Sequence, residues 1–116
     1  DSMKTAIDVL MKTRGIRSVA ILGDMFELGE TSKEQHELVG RYAAKQNVEL
    51  LIAIGEDSAE MARGAREEGM ENVMHFPDKD SFFKEMDKII GKGDVILLKG
   101  SRGMQMDKIV NKIMEQ

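Results

Sequence analysis

The sequence predicts a three-layer α/β domain of Rossmann-like type, in which helices cover both faces of a mainly parallel sheet. Four short runs of consecutive apolar residues are typical of strands that are buried on both faces. A stripe of apolar residues with helical spacing follows each run, and this alternation favours parallel pairing through helical crossovers. The 116 residues, of which 41% are hydrophobic, suffice for one packed domain, which we expect to span residues 1–116.

The strands are predicted where the apolar runs lie, at 18–22, 50–54, 73–76 and 95–98. Gly23 follows the first run, Gly55 follows the second, and Pro77 follows the third. Glycine permits a sharp turn, and proline cannot continue a central strand, so these residues mark strand ends.

Five helices are predicted from apolar residues that recur every three or four positions. Their first apolar residues are Met3, Leu38, Met61, Phe82 and Met106. Hydroxyl residues at 31–32, with an acid or amide at 34–35, resemble a capping box at the start of the second helix. Ser58 is a candidate cap for the third helix. The acidic residues at 56–57 are expected to cap the same helix N-terminus and to place favourable negative charge beside it.

Composition excludes several classes of function. The chain has no cysteine, which excludes disulfides, thiol catalysis and thiolate metal sites. The net charge is −4, with both signs spread along the chain, and this disfavours a nucleic-acid binder. No apolar stretch approaches the roughly 18–20 residues that cross a bilayer, and no secretory signal opens the chain.

The common catalytic and nucleotide-binding motifs are incomplete or missing in the sequence. His36-Glu37 begins like the zinc motif HExxH, but Gly40 stands where the second histidine is required. Neither GxxxxGK[ST] nor GxGxxG occurs, so the chain has no phosphate-binding loop of its own. His75 is expected to be a core or edge residue of its strand. We therefore predict no catalytic residue and no metal ligand.

The loop after the last strand is the strongest candidate for a binding site. Its residues are Lys99, Gly100, Ser101, Arg102 and Gly103. Ligands of open α/β sheets bind beyond the carboxyl ends of the strands, and the helix that follows directs free backbone N–H groups to the same point. Two cations and a hydroxyl at that point suit a carboxylate or a phosphate, and the planar fork of Arg102 can hold a carboxylate through two bonds. The alternative is a lysine and an arginine in solvent.

The loop after the first strand is acidic and long. It carries Asp24, Glu27 and Glu30, with a second glycine at Gly29. Carboxylates at a strand end can accept hydrogen bonds from ribose hydroxyls or from a ligand amine, or they can bind a hard cation. A solvated turn explains the same composition nearly as well.

These loops resemble the C-terminal domain of a Mur ligase, a family of peptidoglycan-precursor enzymes. The similarity covers essentially the whole chain, and two strings, GDMxELG and KGSRGM in that order, are its most specific parts. The residues that carry it are Ile21–Glu30 with Ser32, His36 and Val39-Gly40; Ile52–Glu56; His75-Phe76 with Asp78; and Gly93–Met104 with Met106, Ile109 and Val110. The sequence departs from the family at Phe26, where leucine is common, and at Asp107, where glutamate is common.

The resemblance implies one domain of a longer, cytoplasmic bacterial enzyme of cell-wall synthesis. Such an enzyme uses ATP and Mg²⁺ to join D-alanyl-D-alanine to UDP-muramoyl tripeptide through an acyl-phosphate. It has a UDP-substrate domain, a central ATPase domain and this third domain, which closes over the central one. The central domain carries the phosphate-binding loop and the magnesium ligands, so we expect the isolated 116-residue chain to be inactive. A monomer is the simplest expectation.

The resemblance also suggests roles for individual residues. Ser101 and Arg102, within the loop from Lys99 to Gly103, would hold the carboxylate of the dipeptide. Asp24 and Met25 would line the cleft from the other side. His36 matches a family position whose role the sequence does not give, and helix packing is the simplest explanation for it.

The sequence leaves two other functions open. A stand-alone receiver-like or nucleotide-sensing module would also place an aspartate and a lysine at strand ends, as Asp24 and Lys99 do. A purely structural interaction domain is the third possibility.

Overall fold

The computed structural model describes residues 2–26, 29–100 and 109, and it contains four helices and four strands within residues 2–26 and 29–100. In chain order these are α1 (Ser2–Lys12), β1 (Arg17–Gly23), α2 (Ser32–Lys45), β2 (Leu50–Ile54), α3 (Ser58–Glu67), β3 (Val73–Phe76), α4 (Lys79–Ile89) and β4 (Asp94–Lys99). A short 3₁₀ turn, Gly29–Thr31, precedes α2. Of the predicted last helix only residue 109 is described, and it is helical.

The four strands form one parallel sheet in the order β3-β2-β1-β4. Ile21 in β1 lies opposite Ile52 in β2 and Leu98 in β4. The predicted parallel α/β sheet is therefore confirmed. The central strands β1 and β2 are buried almost throughout, whereas β3 and β4, at the two sides of the described sheet, are half-buried along most of their length.

Two apolar cores cover the two faces of the sheet. One core joins α1, α2 and α3 to side chains of β1 and β2, and its fully buried members include Ile7, Leu22, Ala43, Leu51 and Met61. The other joins α4 and residue 109 to the opposite face, and its fully buried members include Ile21, Ile52, Phe82, Met86 and Ile109. Burial on both faces explains why the strands appear in the sequence as continuous apolar runs.

Helices α2 and α3 approach each other closely at two glycines. A Cβ atom at Gly40 would lie 1.8 Å from the carbonyl oxygen of Met61, and one at Gly64 would lie 2.5 Å from that of Glu37. Around this contact Arg41 and Arg63 form ion pairs with glutamates of both helices. These hydrogen bonds raise the pKa of each guanidinium above its ordinary value.

A half-buried ion pair joins the starts of β1 and β4. Nη2 of Arg17 lies 2.7 Å from Oδ2 of Asp94 and donates also to the carbonyl oxygen of Ile89 at 2.7 Å. Asp94 accepts a further hydrogen bond from the backbone N–H of Gly91. The Arg17 guanidinium holds the pKa of the Asp94 carboxyl below its usual value. This pair fixes β4 beside β1 at the amino end of the sheet.

The capping box predicted for α2 is wrong. The helix does begin at Ser32, but Thr31, at its N-cap, makes no side-chain capping hydrogen bond. The hydroxyl of Ser32 instead lies 3.3 Å from Nδ1 of His36, one turn further along the helix.

Candidate functional site

A cleft of about 520 Å³ opens at the carboxyl ends of β1, β2 and β3. It is lined by the loop after each strand, and its described lining residues are Asp24, Phe26, Gly55, Glu56, Asp57, Pro77, Asp78, Lys79 and Asp80. This is the edge at which ligands of open α/β sheets bind. The sequence predicted the edge and the contribution of Asp24, but it did not predict that the residues at 77–80 would join the lining.

Asp24 is buried, with 7% of its surface exposed, and it caps α3 from a neighbouring loop. Oδ1 accepts hydrogen bonds from the backbone N–H of Ser58 at 2.8 Å and from its hydroxyl at 2.7 Å. Oδ2 accepts a longer bond, 3.4 Å, from the N–H of Asp57. The expected side-chain cap from Asp57 is wrong, since that side chain makes no capping bond. Asp24 supplies the acceptor that the helix start needs.

Gly55 packs directly against the carboxylate of Asp24, where a larger residue would clash with it. Its φ is +122°, and a Cβ atom there would lie 2.4 Å from the carboxyl atoms of Asp24. The carbonyl oxygen of Gly55 accepts a hydrogen bond from Nε2 of His75 at 2.7 Å, and its N–H donates to the carbonyl oxygen of Phe76 at 2.8 Å. His75 is thus a half-buried strand residue, as predicted, and it supports the rim of the cleft.

Met25 follows Asp24 and is held by α2. It is half-buried and packs against the core under α1, α2 and α3. Its backbone N–H donates to Nε2 of His36 at 2.9 Å. His36 is completely buried in α2.

The predicted anion-binding loop is described only in part. Lys99 ends β4 opposite Leu22, two residues before Asp24, so it lies at the same edge of the sheet as the cleft. Lys99 and Gly100 are half-buried. Ser101, Arg102 and Gly103 lie outside the described residues, and their role stays a prediction.

The described lining of the cleft is acidic. It brings Asp24, Glu56, Asp57, Asp78 and Asp80 together with one cation, Lys79. Asp78 caps α4 by accepting from the N–H of Ser81 at 2.8 Å, and this bond lowers the pKa of the Asp78 carboxyl. Such a lining suits hydroxyl or amine groups better than a triphosphate.

The structure contains no metal-binding cluster within residues 2–26 and 29–100: no three acidic or histidine side chains there are arranged to hold an ion. No helix among the same residues is long and apolar enough to span a bilayer.

The bond between Asp24 and Ser58 leads to a prediction about stability. We expect Asp24→Ala to lower the free energy of unfolding by about 1–3 kcal/mol, because Ser58 then starts α3 with unpaired groups in a buried place. Equilibrium urea unfolding of the chain measures this. In a double-mutant cycle, Asp24→Ala and Ser58→Ala should be strongly non-additive. Asp78→Ala, which removes an exposed cap, should cost less, and an equal or larger loss from Asp78→Ala would contradict the prediction.

Comparison with known proteins gives a consistent result. The family model described as Mur ligase, glutamate ligase domain, matches residues 1–102. The chain is 31% identical over 116 residues to the UDP-N-acetylmuramoyl-tripeptide–D-alanyl-D-alanine ligase of Bacillus subtilis and 33% identical over 118 residues to that of Escherichia coli. In both cases 98% of this chain is aligned, with 25% and 24% of the relative. The chain thus spans about a quarter of the length of these curated relatives.

A solved structure supports the same relationship. The chain superposes on the crystal structure of MurF from Acinetobacter baumannii with a TM-score of 0.88 and 26% sequence identity. The superposition covers 99% of this chain and 26% of that one. The described part of the chain therefore shares its fold with that structure.

Proposed function

Since the chain belongs to the Mur ligase family, we propose that it is the third, C-terminal domain of a ligase that adds D-alanyl-D-alanine to UDP-N-acetylmuramoyl tripeptide. One observation carries the proposal: nearly the entire chain aligns with relatives that bear this one name. The product of such a ligase is a peptidoglycan precursor, so the enzyme serves cell-wall synthesis in the cytoplasm. The longer protein is proposed to be a monomer with a UDP-substrate domain and a central ATPase domain.

The domain is proposed to bring the acceptor dipeptide to the reacting centre. In this proposal the loop from Lys99 to Gly103 holds the dipeptide carboxylate through Ser101 and Arg102, and Asp24 and Met25 belong to the neighbouring loop, which follows β1. The position of Lys99 at the same sheet edge as Asp24 supports this arrangement. Closure of the domain over the central one excludes water from the acyl-phosphate, which water would otherwise hydrolyse.

ATP and Mg²⁺ belong to the rest of the enzyme in this proposal. The described residues form no cluster of ligands for a metal ion, and the cleft is lined by carboxylates that repel phosphate groups. The described residues therefore fit neither Mg²⁺ nor the triphosphate, and both are assigned mainly to the central domain. In this proposal the domain supplies part of the nucleotide contacts when it closes.

A receiver-like module is the less favoured alternative. Phosphorylation of Asp24 would require its carboxylate to be accessible to a phosphodonor. The carboxylate is instead buried and bonded to Ser58 through two hydrogen bonds. Burial at this position weighs against the alternative.

The proposal is tested with the full-length protein that carries this chain. Phosphate release from ATP should require both UDP-muramoyl tripeptide and D-alanyl-D-alanine, and L-alanine should not replace the dipeptide. The isolated 116-residue chain should release no phosphate under the same conditions. Phosphate release by the isolated chain, or release by the full-length protein that is indifferent to the dipeptide, would contradict the proposal.

A further inference from the structure

His36 is a buried polar side chain that packing alone does not explain. It is 0% exposed, and burying an imidazole is unfavourable unless its nitrogens are hydrogen-bonded. Both nitrogens are bonded here. Nδ1 lies 2.7 Å from the carbonyl oxygen of Ser32, and Nε2 lies 2.9 Å from the backbone nitrogen of Met25.

These two partners decide which ring nitrogen donates and which accepts. The carbonyl oxygen of Ser32 can only accept, so Nδ1 carries the hydrogen and donates it. The N–H of Met25 can only donate, so Nε2 is the acceptor. The acceptor nitrogen Nε2 is therefore directed at the loop that leaves β1.

The loop held in this way forms one wall of the cleft. Met25 lies between Asp24 and Phe26, and both of these neighbours line the cleft. Asp24 is bonded on its other side to Ser58 at the start of α3. The loop is consequently fixed at two points, to α2 through His36 and to α3 through Asp24. Phe26, which is 45% exposed, follows the held N–H directly.

We propose that His36 is a positioning residue of the ligase: by accepting the N–H of Met25 it holds Asp24 and Phe26 in the orientation that the acceptor dipeptide meets when the domain closes. The inference rests on the proposed function, because that function makes this wall of the cleft part of the dipeptide site. His36 itself contacts no substrate.

The test is made in the full-length ligase with two variants. His36→Met keeps an apolar side chain of similar size and removes the acceptor. His36→Gln keeps an amide oxygen that can accept from Met25. Ile7→Ala is the control, because it opens a cavity under α1 without touching the cleft lining. Steady-state kinetics should be measured for all four enzymes at a temperature at which each is folded.

His36→Met should lower kcat/KM for D-alanyl-D-alanine by about tenfold, the effect of losing one well-placed hydrogen bond, and leave KM for UDP-muramoyl tripeptide unchanged. His36→Gln should recover most of the loss, and Ile7→Ala should show wild-type kinetics. Wild-type kinetics in His36→Met, or equal losses in His36→Met and His36→Gln, would overturn the proposal.

A second measurement needs no variant. Amide hydrogen exchange in the wild-type full-length protein should show that the N–H of Met25 is protected, and exchange at the rate of an open loop would overturn the proposal. This result is independent of whether the wild-type enzyme ligates D-alanyl-D-alanine. An enzyme that leaves the dipeptide unused would refute the proposed function, while the exchange at Met25 would still report on the His36 bond.

Discussion

Gly40→Ala is expected to destabilise the domain by about 3 kcal/mol, at the upper end of what overpacking a core usually costs. The new Cβ atom would lie 1.8 Å from the carbonyl oxygen of Met61 and 2.7 Å from its carbonyl carbon. Both atoms are backbone of α3, so no side-chain rotation relieves the clash. Helices α2 and α3 would have to separate, and the core beneath them would lose its packing.

The direction of this effect is informative. Alanine is favoured over glycine inside a helix by about 1 kcal/mol, so helix propensity alone predicts that Gly40→Ala is stabilising. Any net loss in the free energy of unfolding is therefore due to the clash between the two helices. Equilibrium urea unfolding of the chain gives the free energy, and the far-UV circular dichroism of the variant shows whether it still folds.

Gly91→Ala provides the matched control. A Cβ atom at Gly91 meets nothing within 4 Å, and its N–H bond to Asp94 is retained by alanine. Its unfolding free energy should stay within about 0.5 kcal/mol of the wild type. If Gly40→Ala and Gly91→Ala unfold at the same urea concentration, the close approach of α2 and α3 does not make Gly40 essential to stability, and the prediction is contradicted.

Sequence patterns predicted most of the fold because the relevant preferences are local. The apolar runs at 18–22 and 50–54 fall within β1 and β2, and the helical stripes coincide with α1 to α4. The strand order was not predictable, since β4 pairs with β1 through contacts between residues about 77 positions apart. Nothing near β4 in the sequence specifies its neighbour.

The site was predicted less completely for the same physical reason. The sequence indicated that Asp24 lies at a strand end, but its partner Ser58 is 34 residues away. A local pattern therefore assigned the cap of α3 to residues 56–58 and left Asp24 free for a ligand. The hydrogen bond between His36 and Met25 also depends on the tertiary fold. The loop after β1 and helix α2 meet only when the core between them forms. The family resemblance marked His36 without giving its role.

Arg102 is the second residue whose replacement should have a large effect. A guanidinium can hold a carboxylate through two parallel charge-assisted bonds, and such an interaction is worth roughly 1.5–3 kcal/mol in all. Losing them should lower kcat/KM for the dipeptide by about tenfold to more than a hundredfold. Arg102→Lys should recover only part of this loss, because an ammonium is a point charge without the planar fork.

The central claim is that this domain binds the negatively charged end of the acceptor for a neighbouring catalytic module. Its most direct test is the kinetics of Arg102→Ala in the full-length ligase, with D-alanyl-D-alanine and ATP varied separately. Arg14→Ala is the control and should behave as wild type. It removes an exposed arginine that precedes the amino end of β1, at the opposite end of the sheet from the cleft. We predict a large loss of kcat/KM for the dipeptide and an unchanged KM for ATP; equal losses for both substrates would contradict the claim.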